Sequence, residues 1–191
     1  MNLHQRVINS KKNLKAYLRH NADEFAQPMW STDGFCTSFK MKTEIGNCTV
    51  TAHFMPYEDN LKITLNMGII CGEPFRQQLQ MYFTFALNAL GINSVYSMEN
   101  GLVESIYLIS FSSGAIKHDD YQKAFYHLKC SVDYCYKDIA YIACGSPIFT
   151  QDFVQKQIDD RMDKALLTDI KKIIAESHSH SENVDCSIDM R

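Results

Sequence analysis

The segment HLKCSVDYCYKDIAYIACG, residues 127–145, gathers His127, Cys130, Cys135 and Cys144 with three tyrosines. Imidazole and thiolate are the ligands of zinc sites and the working groups of thiol redox centres, so the spacing decides whether either chemistry is open. On a helix each residue turns about 100° and rises about 1.5 Å, which sets Cys130 and Cys135 about 140° apart around the axis and about 7.5 Å apart along it. That separation is too long for a comfortable disulfide and the directions too divergent for one metal. His127 and Cys130 share an edge at i, i+3, but two ligands from one helix do not close a site. No CxxC or HxxxH spacing occurs in the chain. The expectation is a packed amphipathic helix with Cys135 in its core arc and Cys130 at its periphery, and no metal or cofactor.

Other chemistry-bearing residues divide in the same way. His53, Lys40 and Lys42 fall on the polar positions of alternating segments, near Lys62. They are candidates for a small cationic patch that meets an anionic ligand or an acidic partner, against the plainer reading of a soluble Lys/Thr sheet face. Asp119 and Asp120 stand where a helix begins, and the positive end of the helix dipole explains them without acid–base work. Asp159 and Asp160 sit beside Arg161 and Lys164 on the polar side of a helix, where Asp160 and Lys164 are an i, i+4 pair. His178, His180 and Cys186 lie in a polar tail that could chelate a divalent metal weakly and more simply reads as solvated chain. No phosphate-cradling glycine loop, GxSxG or local Cys/His nucleophile pattern is present.

These residues are carried by a chain of 191 residues, 46% hydrophobic and 21% charged, with a formal net charge of −3. That balance argues against a dedicated nucleic-acid binder, which needs clustered Lys and Arg. No apolar run is long enough to cross a bilayer. Residues 1–25 lack the apolar core and small-residue cleavage site of a secretory signal. The seven cysteines are scattered through the periodic segments rather than clustered in loops. They read as reduced core thiols, and the chain as cytoplasmic.

The hydrophobic period changes along the chain. Leu3, Val7, Leu14, Tyr17 and Leu18 make a helical stripe over residues 2–22, and QPMWSTDG then reads as a loop. From residue 34 the period is two. Phe35, Phe39 and Met41, then Val50, Ala52 and Phe54, then Leu61, Ile63, Leu65 and Met67 define three strands with one buried and one wet face. Gly72-Glu73-Pro74 opens a helix closed by Gly91. Asn100-Gly101 is a tight-hairpin signal between strands at 92–98 and 102–112. The second of these, LVESIYLISF, is apolar on both faces and is expected to be a covered, central strand. Helices over 118–144 and 150–177 complete the pattern. The predicted fold is α+β, a five-stranded antiparallel sheet in the order α-βββ-α-ββ-α with an additional C-terminal helix. It spans a domain at 1–145, an appended helix at 146–177 and a polar tail at 178–191.

The last helix carries a long apolar stripe that includes Phe153, Ile158, Met162, Leu166 and Ile170 on an otherwise charged sequence. It is either packed on its own domain or a surface for self-association or partner binding.

The order of elements, and the run from INSVYSMENGLVESIYLISF into DDYQKAFYHLKCSVDYCYKDIAYIACG, resembles the type III secretion chaperone-like fold and the YbjN family of bacterial proteins. The resemblance covers about residues 1–145. It implies a non-enzymatic protein, often dimeric, that works by binding other proteins, and it brings no catalytic residues. The secretion chaperones are more acidic and lack a helix at 150–177, so a general protein-binding or regulatory role is expected, with a protein partner and a homodimer, and with neither nucleic acid nor membrane. The alternative is a small-ligand regulator with a pocket between helix 75–90 and the sheet, lined by Met81, Tyr82 and Phe83.

Overall fold

The computed structural model describes residues 1–145, which belong to the first of the chain's two units, Met1–Phe149. Helix α1 spans Leu3–His20, β1 Met29–Trp30, β2 Cys36–Thr43, β3 Gly46–Met55, β4 Asn60–Ile70, α2 Glu73–Leu90, β5 Val95–Ser97, β6 Leu102–Ser110 and α3 His118–Ala143. The strands described form one antiparallel sheet in the order β1-β2-β3-β4-β6-β5. The sheet therefore has six strands, not five. The extra one lies in the QPMWSTDG segment expected as a loop.

That strand escapes the period-two pattern because it is short and interrupted. Glu24 and Ala26 already exchange backbone hydrogen bonds with Lys42 and Lys40 (2.8 and 2.9 Å), and Met29 and Trp30 then pair with Ser38 and Thr37. Between the two stretches the register slips by one residue around Pro28, which has no N–H to give the ladder. The result is an edge strand too broken to show alternation.

The expected elements otherwise form close to their expected bounds. The Asn2 side chain caps α1 by accepting from Gln5 N–H at 2.9 Å. Pro74 stands in the first turn of α2, and Gly91 ends it in the left-handed region. Asp120 Oδ2 accepts the Lys117 N–H at 2.9 Å, so this carboxylate caps α3. Asn100 and Gly101 both take positive φ, 54° and 78°, but within a 3-10 turn over Glu99–Gly101. The last pair of the ladder joins Ser97 to Glu104, so β5 and β6 are linked by a longer connection than the expected tight hairpin.

All three described helices lie on one side of the sheet. Helix α3 packs on β2, β4 and β6; its Tyr121, Leu128, Val132, Cys135, Ile139 and Ile142 are fully buried, as are Val50, Phe54, Ile63, Leu65 and Val103 in the sheet. Helix α1 covers the β2–β3 end, where Tyr17 stacks on Phe125 at 5.4 Å. Helix α2 covers the β5 end, where Phe83 stacks on Tyr96 at 3.9 Å. Cys130, expected at the periphery, is buried as well, and burial pushes its thiol up.

Candidate functional site

Two polar regions of the described residues could in principle do chemistry, one inside and one outside. The interior region sits between α2, α3, β5 and β6. Ser131 Oγ lies 2.8 Å from Ser105 Oγ and 2.7 Å from the Leu128 carbonyl, and Ser105 Oγ lies 3.2 Å from Ser94 Oγ. The Tyr96 hydroxyl donates to the Ser131 carbonyl at 2.8 Å, and the Tyr82 hydroxyl donates to Asp138 Oδ2 at 2.9 Å. Burial, and after it the neighbouring Cys135, hold both phenols well above the ordinary tyrosine range. They stay protonated and serve as donors that satisfy buried acceptors, which is a structural role. Among the described residues no group of three His, Cys, Asp or Glu is placed to share a metal ion, and the described cysteines are free thiols.

Met81, Tyr82 and Phe83, expected to line a small-ligand pocket, do not line one together. Tyr82 is sealed in the core with its hydroxyl on Asp138, and Met81 points to solvent. Phe83 alone borders a shallow groove of about 420 Å³, together with Leu87, Val95, Tyr96 and Met98. The three side chains lie at successive helical positions, about 100° apart, so one wall cannot hold them all.

The exterior region is the outer face of the sheet, and the register gives its layout. One row across the strands reads Cys36, His53, Lys62, Leu108, and the next reads Ser38, Thr51, Thr64, Ile106, Val95. A third reads Lys40, Thr49, Asn66, Glu104, Ser97. Leu108 is 55% exposed, Val95 65% and Ile70 74%. Strand β6 is thus not the covered strand expected from its two apolar faces. Its inner side is packed under α3, and among the described residues no helix lies over its outer side.

This face holds all three of the cationic candidates but does not bring them to one point. His53 stands opposite both Cys36 and Lys62, while Lys40 lies four residues further along β2, roughly 14 Å away at the rise of a strand. Lys40 is bonded through its ammonium to Thr49 Oγ1, and Lys42 is exposed beyond it. Together with Lys62 they make a basic strip running beside the apolar strip of Leu108, Ile106 and Val95. Such a surface cannot enclose a small anion, but it can meet a long ligand that is acidic on one side and apolar on the other. Phe153, Ile158, Met162, Leu166 and Ile170 lie outside the described residues.

The lysine half of this face was legible in the sequence, whereas the apolar half was expected to be covered. The signal was present: Leu102, Ile106 and Leu108 alternate on one side of LVESIYLIS. Only the placement of the helices tells whether that side is covered.

No family model matches the sequence, and no curated protein does. A comparison with solved structures finds a chain from the crystal structure of the ExsC-ExsE complex. It is 13% identical, with a TM-score of 0.45 over 76% of this chain and 100% of that one. That likeness is too distant to carry a function across.

Proposed function

We propose that this chain is a non-enzymatic protein-binding module, chaperone-like or regulatory, acting in the cytoplasm. Its partner is a protein segment that lays an acidic and an apolar side along the outer face of the sheet. The observation that carries the reading is the bare outer side of β6. Exposed Leu108 and Val95, with half-buried Ile106 between them, form an apolar strip that none of the described helices covers, flanked by Lys62, His53, Lys40 and Lys42. Burying such a strip yields roughly 25 cal/mol per Å² of apolar surface, and the lysines select the sign of the partner. Glu104 interrupts the face between the apolar ends, so the acidic side of the partner belongs over the lysines.

Incorporating a photocrosslinking residue at Leu108, and as a control at Gln122 on α3, tests the reading in cells that express the full chain. The expected result is one adduct at position 108, absent at 122 and lost in Lys62→Glu. Its crosslinked peptide should be rich in Asp or Glu and apolar residues. Equal adducts at both positions, or a basic peptide, would sink it.

The homodimer is part of the same proposal. The apolar stripe of Phe153, Ile158, Met162, Leu166 and Ile170 is proposed as the element through which two copies associate. Light scattering on the full chain and on a chain ending at Gly145 measures this. A dimer that becomes a soluble monomer supports it, and a full chain that is monomeric at all concentrations refutes it.

A further inference from the structure

At the opposite edge of the sheet from β5, a groove of about 580 Å³ opens between the last turns of α1 and the β1 edge. Its apolar walls come from Leu18, Phe25, Pro28 and Trp30, with Lys15 and Arg19 on the rim. That volume lies within the range of small-molecule sites, roughly 300–1,000 Å³, and the mix of apolar walls with a few polar groups is also characteristic of them.

The charges on this rim are unbalanced. Lys15 and Arg19 are one helical turn apart on α1 and point to the same side. Among the described residues neither has an acidic partner, although Arg6, Arg76 and Lys129 all do. Glu24, which is close to the groove in sequence, instead lies 4.0 Å from Lys129. The position of Arg19 in the last turn of α1 suits the helix dipole and would explain that residue alone. It does not explain Lys15, which sits a full turn earlier with its ammonium 4.7 Å from the centre of the Trp30 ring. The attraction of a cation to an indole involves no counter-ion, so this contact leaves the Lys15 ammonium without an anionic partner among the described residues.

We propose that this groove binds a small amphipathic carboxylate, an apolar chain bearing one terminal acid. The apolar part would lie along Leu18, Phe25, Pro28 and Trp30, and the carboxylate would meet the Lys15 ammonium and the Arg19 guanidinium. Charge complementarity chooses this occupant: an uncharged apolar ligand would leave both cations unused, and an apolar cation would be repelled by them. The site is distinct from the outer sheet face and does not depend on the protein-binding reading.

Trp30 is the only tryptophan in the chain, so its fluorescence reports on this groove directly. The experiment titrates the full chain with decanoate below its micelle concentration, with decanol and decyltrimethylammonium as matched controls. The expected result is a saturable change in Trp30 emission with decanoate, at least tenfold weaker with either control. In K15Q/R19Q the affinity for decanoate should fall at least tenfold with unchanged far-ultraviolet circular dichroism. In K15R/R19K, which keeps both charges, binding should persist, and this keeps the test informative if the glutamine variant misfolds. No saturable response to decanoate, an equal affinity for decanol, or loss of binding in K15R/R19K equal to that in K15Q/R19Q would overturn the proposal.

Discussion

The two faces of β6 differ in what surrounds them more than in what they are made of. Inward, Val103, Ser105 and Ile109 are packed beneath α3, and even the serine hydroxyl is absorbed into a chain with Ser94 and Ser131. Outward, Leu102, Ile106 and Leu108 have comparable apolar bulk and none of the described helices over them; Leu108 is exposed and the other two are half-buried. A buried polar group is tolerated only when it is hydrogen-bonded, so the inner face has spent its chemistry on its own stability. The outer face has not, and on the proposed reading its apolar and cationic groups meet another molecule. The contrast predicts that substitutions inside change folding and leave recognition untouched, while substitutions outside do the reverse.

The largest effect belongs inside. Leu65→Ala, at a fully buried position beneath the helices, should cost about 2–5 kcal/mol of stability in a urea titration. A loss under about 0.5 kcal/mol would mean that the inner face is loosely packed and the contrast false.

High pH should break the same interior. Burial raises the Tyr82, Tyr96 and Tyr121 phenols above their ordinary value. Above about pH 10 the unfolded chain therefore loses protons that the folded chain keeps. The stability is complete below that pH and falls as pH rises, by about 1.4 kcal/mol per pH unit for each tyrosine. Tyrosinate absorbance followed alongside circular dichroism should show these three phenols ionising only as the fold is lost.

Smaller effects sharpen the boundary. Ser105→Ala removes the middle of the serine chain and should cost about 1–3 kcal/mol. Gly145→Ala should cost a similar amount, about 1–3 kcal/mol, because the residue sits at φ +74° with the Phe75 ring where a Cβ would go. Thermal unfolding measures both. The smallest effect on stability is expected outside: Leu108→Asp should change it by no more than about 0.5 kcal/mol. The same substitution should abolish the crosslinked adduct formed from Val95, its neighbour on the open face. Unfolding caused by Leu108→Asp would show that the outer strip is structural.

Much of this could be read before any coordinates. The alternation through Phe39 and Met41, Val50 and Phe54, and Leu61 to Met67 marked which side of each strand is buried, since a pleated strand sends successive side chains to opposite faces. Asn100-Gly101 marked a turn for a similarly local reason, its need for positive φ. The wheel of residues 118–144 placed Cys135 in the core and set Cys130 on another side of the helix, through geometry internal to one helix. The β1 edge was not legible, because a two-residue strand broken by Pro28 carries no period. The burial of Cys130, on the side of α3 away from that apolar arc, was also beyond a helical wheel, which knows nothing of neighbouring elements.

What the sequence determined by itself was therefore local: the type of each long element, its inward side and the turns joining them, all set by backbone geometry within a few residues. Tertiary structure alone decided that α1, α2 and α3 share one side of the sheet. That choice leaves Leu108 exposed and Ile106 half-buried while Ile109 is closed, and brings Trp30 beside Lys15. Coverage and convergence depend on where distant segments come to rest, and periodicity contains no information about that.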